Sequence, residues 1–207
     1  MGAPDAKENI LNKIRQALSN SVPLPFPPAS ENNSGLYHEP AEDLEVTFAR
    51  EFTSLQGKFA FCEHEDDLLH QLGQLITNKD WKRIFCIEDA WSAMLGTTTD
   101  LAACDASVTG CELLVARTGS IIMSAAQQSG RTVSVYAPVH ICIAYTNQLV
   151  FDIRDGLLLL KEKYKEQLPS LVTFASGPSR TADIEKTLVT GVHGPAEVFL
   201  FLVESPV

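Results

Sequence analysis

A chain of 207 residues with 45% hydrophobic and 20% charged side chains has room for one sizeable core, or one domain with an arm, and reads as a soluble globular protein. Its formal net charge of −10 argues against unaided binding to nucleic acid or to an anionic membrane, both of which call for a basic patch. No charged-then-apolar leader opens the chain and no apolar run approaches a membrane span, so the expected compartment is the cytoplasm.

Residues 7–18 place Ile10, Leu11, Ile14 and Leu18 on one stripe of an amphipathic helix, with Lys7, Glu8, Asn12, Lys13 and Arg15 around it. Pro23, Pro25, Pro27 and Pro28 then make residues 21–28 a stiff, extended connector, and a polar segment runs from Ser30 to Pro40. We read residues 1–42 as an arm and 43–207 as the main domain. Such a stripe packs back on its own domain or docks on a partner or a second subunit, and we carry the intermolecular reading forward.

In the main domain, Leu44, Phe48, Phe52 and Leu55 recur at helical spacing over residues 43–56, and Gly57 stops the helix. Lys58 to Cys62 reads as a short strand. His64-Glu65-Asp66-Asp67 opens a helix through Thr77, with acids in its first turn as the dipole prefers. Arg83 to Ile87 is the next strand, with a short helix near Trp91 to Leu95. Ser107 to Val115 and Ser120 to Ala125 read as strands about a turn at Ala116-Arg117-Thr118-Gly119. The β-formers from Thr132 to Tyr145 extend that series beyond a turn at Gly130-Arg131. Asp152 to Lys165 returns to helical spacing.

The five cysteines (Cys62, Cys86, Cys104, Cys111 and Cys142) form no C-x-x-C, and three of them sit in apolar runs as small buried hydrophobes. An iron–sulfur cluster needs spaced thiolates, so none is expected on this chain. His140 and His193 alone make no zinc site, and no metal is expected. No G-x-G-x-x-G, Walker lysine or G-x-S-x-G motif is present.

The most informative stretch is Val172 to Val203. An apolar run to Ala175, a short helix from Ala182 to Leu188 and a second apolar run from Val198 read as a βαβ unit, hence a parallel sheet. Ser176-Gly177-Pro178-Ser179-Arg180-Thr181 would then lie at a strand's carboxyl end, where such sheets bind ligands. Gly177 permits close backbone approach, Ser179 or Thr181 suits a helix cap, and Arg180 offers a planar fork to a carboxylate or phosphate. Asp183 and Glu185 in the first turn push a bound anion off the axis towards Arg180. His193, beside Gly194, suits a general acid/base or a hydrogen-bond donor. The plainer alternative is a capped helix with a tight turn at each end. Thr118, Gly119 and Ser120 offer hydroxyls and N–H groups to an anion, or form a plain turn. Arg131 is a carboxylate clamp or a surface arginine, and His140 a site group or a satisfied core histidine.

Ser176-Gly177-Pro178-Ser179-Arg180-Thr181-Ala182-Asp183-Ile184-Glu185, followed by Gly191-Val192-His193-Gly194-Pro195, resembles the C-terminal signature of the LUD domain. More closely it is similar to the bacterial lactate-utilisation protein C subfamily. The resemblance implies an α/β fold with a mixed, largely parallel sheet flanked by helices, akin to CoA transferases, ribose-5-phosphate isomerase and glucosamine-6-phosphate deaminase. It implies a component of lactate oxidation to pyruvate that acts with iron–sulfur partner proteins. An arginine at the place of Arg131 is a family feature. Arg117 stands where an acid is common, so the glutamate nucleophile of the related CoA transferases is missing. Two readings remain open beside the lactate one: an independent enzyme for a phosphosugar, CoA ester or organic acid, and a binding module without chemistry.

Overall fold

Residues 6–19, 40–182 and 188–205 are described by a computed structural model of the chain. They fall into two compact units, 1–39 and 40–207. In the first, α1 spans Ala6–Leu18, while the expected connector at 21–28 and the polar segment up to residue 39 lie outside the described residues.

In the second unit α2 (Leu44–Ser54) buries Phe48 and Phe52, whose rings stack 5.4 Å apart. It ends at Ser54, two residues short of the expected 56, and Gly57 follows, where a Cβ would overlap the Phe52 ring. β1 (Lys58–Cys62) follows, then α3 (Glu65–Asn78), whose N-cap His64 accepts the Asp67 N–H. Next come β2 (Ile84–Cys86), α4 (Ser92–Leu95) and β3 (Ala106–Thr109). β4 (Leu113–Val115) and β5 (Ser120–Ser124) form a hairpin through a 3-10 turn, with Gly119 at φ +55°. Then follow α5 (Val133–Tyr136), β6 (Val139–Tyr145), β7 (Leu149–Val150), α6 (Ile153–Tyr164) and β8 (Val172–Ala175). β9 (Arg180–Ala182), β10 (Leu188–Thr190) and β11 (Glu197–Val203) complete the chain.

The class is the expected mixed α/β arrangement, with a largely parallel main sheet flanked by helices. That sheet has the order β1-β11-β6-β3-β2 and is parallel throughout. A second sheet, β7-β4-β5-β8, is antiparallel except where β7 meets β4. Alternation along the parallel strands divides the core. Ile141, Ile143, Phe199 and Phe201 face Leu68 and Leu72 of α3. Ala144, Leu200 and Leu202 face Phe48 and Phe52 of α2 and Leu114 and Ile121 of the second sheet. On the far side of the second sheet, Leu160 of α6 meets Ile122 and Val150. Each such side chain, when fully buried, contributes about 1.5–3 kcal/mol.

Three expectations are corrected. The runs Val172–Ala175 and Val198–Val203 do not form a βαβ unit: β8 pairs with β5 in the second sheet, and β11 lies between β1 and β6 in the first. Between them β9 and β10 pair antiparallel, so residues 182 and 188 are strand rather than helix; residues 183–187, with Asp183 and Glu185, lie outside the described residues. Residues 133–136 are helix rather than strand, ending just ahead of Pro138, and Val133 is buried against Phe85 and Cys104. Ser107 to Val115 is not one strand, because Gly110-Cys111-Glu112 carries the chain from the first sheet to the second.

Candidate functional site

The carboxyl terminus of α2 gathers most of the residues that the sequence singles out. Gly119 lies directly against it, where a Cβ would come within 2.5 Å of the Phe52 nitrogen. Gly177, at φ +79°, sits against the Leu55 carbonyl, leaving no room for a side chain. Arg180 donates from its guanidinium to that same carbonyl. The buried Ser120 hydroxyl joins the two turns, bonding Thr118 Oγ1 at 2.8 Å and Ser176 Oγ at 2.7 Å.

The two halves of the C-terminal signature also grip each other. The Ser179 N–H donates to Pro195 O at 2.9 Å, and Ser179 O accepts from the Gly191 N–H at 3.0 Å. Gly194 runs so close that a Cβ there would stand 3.0 Å from that of Ser179. His193 is exposed beside this contact, and the Thr181 backbone pairs with Val189 in the β9–β10 hairpin.

This corrects the expected geometry. The Gly-Pro-Ser-Arg-Thr segment follows an edge strand of the second sheet, so it does not lie at the carboxyl end of a parallel strand. It meets a helix carboxyl terminus, whose orphan carbonyls attract cations. One Arg180 N–H fills that role here, and the exposed guanidinium carries further donors that suit a carboxylate.

Arg117 is engaged as well. Its Nε donates to Asp152 Oδ2 at 2.5 Å, and Asp152, 7% exposed, caps α6. The Arg154 backbone N–H and then Arg117 hold the Asp152 carboxyl below its usual range. The Arg117 cation is thus neutralised locally.

His140 is not brought to this place. It is 1% exposed on β6, its Nε2 2.8 Å from Thr109 Oγ1, and burial lowers its pKa to about 4. Its imidazole is neutral near pH 7 and buried in the core, whereas His193 is exposed. Arg131 lies apart from both, in the loop between β5 and α5, and donates to Ser170 Oγ.

Sequence reasoning missed a buried carboxylate. Glu112, 6% exposed, accepts from Ser124 Oγ at 2.5 Å, Tyr164 OH at 2.6 Å and Lys163 Nζ at 2.7 Å. Burial pushes its pKa up, but the donors, Lys163 foremost, outweigh that and hold it below the usual range. A groove of about 330 Å³ lies beside it, lined by Leu113, Leu159, Leu160 and Glu162 as well as Glu112 and Lys163. The signal was an acid inside an apolar run, which folding tolerates only with partners. All five cysteines are buried and unpaired, and no group of three or more His, Cys, Asp or Glu among the described residues is placed to hold a metal.

The family model described as LUD domain matches residues 67–203. The chain is 36% identical over 105 residues to a lactate utilization protein C of Deinococcus radiodurans, covering 50% of this chain and 49% of that protein. It is 31% identical over 118 residues to a lactate utilization protein C of Bacillus licheniformis, covering 55% of this chain and 49% of that one. The chain thus matches about half the length of these curated relatives. The crystal structure of a DUF162 family protein from Deinococcus radiodurans superposes with a TM-score of 0.58 at 20% identity, over 79% of this chain and 99% of that one. That last likeness is one of fold.

Proposed function

The chain belongs to the LUD domain family, and on that premise we propose that it serves lactate utilisation, as a cytoplasmic component that acts with iron–sulfur partner proteins in oxidising lactate to pyruvate. The observation that carries this reading is the match to relatives named lactate utilization protein C in two organisms. All five cysteines are buried and unpaired, which is compatible with clusters carried by partner proteins. Residues 1–28 of the arm supply the docking element for such a partner or for a second copy of the chain. The ligand is a small carboxylate. Arg180 and Arg131 are its candidate cations, Thr118, Ser120 and Ser179 its candidate hydroxyls, and His193 is the candidate proton-transfer group. The phosphosugar and CoA-ester alternative is weaker, because the turn at Thr118-Gly119-Ser120 carries Arg117, paired with Asp152, in place of a nucleophilic acid.

Growth tests the reading. A strain lacking this gene is expected to grow normally on glucose and to fail on L-lactate as sole carbon source, with the intact gene restoring growth. Normal growth on L-lactate would overturn it.

A further inference from the structure

The two edges of the parallel sheet are not alike. At β2 the edge is closed: Phe85 forms a bridge with Thr98, the Ile84 N–H donates to Thr97 Oγ1 at 2.7 Å, and the Ile84 carbonyl accepts from the Thr97 N–H at 2.9 Å. At β1 the edge is open. Cys62 O accepts from the Glu204 N–H at 2.9 Å, so Cys62 and Ala60 turn their backbone groups towards β11, and alternation turns those of Phe59 and Phe61 outward. Phe61 O accepts from Gln71 Nε2 at 3.0 Å, on the side away from β11. The Phe59 N–H and C=O and the Phe61 N–H then have no partner among the described residues. A groove of about 300 Å³, lined by Lys58, Phe59 and Ala60 of β1 and by Gln71, Gln74 and Asn78 of α3, runs beside this edge. Phe61 is 41% exposed. The strand holds no proline, and its one charge, Lys58, is tied to Glu197, so the usual protection of an edge is missing.

We propose that β1 pairs antiparallel with β1 of a second copy, about a two-fold axis at Ala60, to make one continuous sheet. Two observations select a second copy as the occupant. The strand is self-complementary, because on each side of the axis Phe59 of one copy lies opposite Phe61 of the other and each pair exchanges two hydrogen bonds. Phe61 O takes the added donor beside Gln71, since a carbonyl accepts two. The Phe59 and Phe61 rings share one face of the sheet, so the pairing covers the exposed ring. The ends of the edge also match in charge. α3 runs back along β1, Gln71 meeting Phe61 and Lys79 meeting Glu197 beside Lys58. Its acidic start, with Glu63, Glu65 and Asp66 exposed, therefore lies at one end of β1. At the other end Lys58 and Lys79 share the single carboxylate of Glu197, which leaves one positive charge over. Antiparallel pairing brings the acidic end of each copy to the basic end of the other. This interface goes beyond the lactate reading, does not depend on it, and is separate from the arm.

Sedimentation of the full chain, with hydrogen exchange read at single amides, tests this. The wild type is expected to sediment as a species of twice the chain mass and to dissociate on dilution. Phe61→Lys places a charge on the edge and is expected to raise the dissociation constant about a hundredfold, with the far-ultraviolet circular dichroism unchanged. The Phe59 and Phe61 amides of the wild type are expected to exchange at least about tenfold more slowly in the dimer than in the diluted monomer. The Ala60 amide, which faces β11, is expected to stay protected in both, and this measurement needs no variant to fold. A wild type that is monomeric throughout overturns the proposal and leaves the edge to a strand of another protein. A dimer that Phe61→Lys leaves intact, or one whose Phe59 and Phe61 amides exchange freely, also overturns it, because the copies then meet elsewhere.

Discussion

At the scale of single residues, His140 ties the core to pH. Its folded pKa of about 4 lies below the ordinary value near 6.5, so the unfolded chain binds its proton first on acidification. The stability that the neutral imidazole contributes is therefore full above pH 6.5 and is lost as pH falls from there to about 4. That interval corresponds to roughly 3 kcal/mol for a buried group. Urea unfolding between pH 7 and 4 is expected to show this loss, and His140→Gln to flatten the slope. An unchanged slope in the variant would show that other groups control acid stability. The same burial explains why a histidine attractive in the sequence as a site residue is a core residue in the fold. Hydropathy along a strand says which side chains face inward, but not whether an inward polar group finds a partner such as Thr109.

At the scale of elements, the turns around the α2 carboxyl terminus are tightly constrained. Gly119 and Gly177 both have positive φ and both touch α2 backbone. Gly119→Ala and Gly177→Ala are each expected to destabilise by about 3 kcal/mol, combining backbone strain with overpacking. Arg180→Ala, which removes one hydrogen bond to Leu55 O, is expected to lose only about 1 kcal/mol. Thermal melts of the three variants check the order, and a larger loss for Arg180→Ala than for either glycine variant would contradict it. Helices with clear starts were legible from the sequence: His64 and Asp152 cap α3 and α6 where the spacing puts them. Strand existence was legible too, from Lys58–Cys62 and Val198–Val203. Sheet membership was not, because an apolar run has the same composition in a parallel sheet as in an antiparallel one. That ambiguity turned β8 and β11 into neighbours and filled the interval between them with a helix. The same error placed the glycine-rich signature at the end of a parallel strand, whereas it follows the antiparallel edge strand β8. Its chemistry was rightly noticed as unusual, but packing accounts for Gly119, Gly177 and Gly194 before any ligand does.

At the scale of the whole molecule, a charge of −10 and a layered core of two sheets leave recognition to particular side chains rather than to a general field. No helix among the described residues is long and apolar enough to cross a membrane. The polar chemistry is divided between two places: the signature closed on α2, and the buried Glu112 beside α6, marked in the sequence only as an acid inside an apolar run. The central claim is that this chain works beside iron–sulfur proteins in lactate oxidation. Its most direct test is affinity capture of the tagged chain from its native host grown on L-lactate, with mass spectrometry of the eluate and its visible absorbance. The account predicts cysteine-rich, cluster-bearing partners and an absorbance band near the iron–sulfur range, both lost when residues 1–20 are deleted. A colourless eluate that contains the chain alone would contradict it.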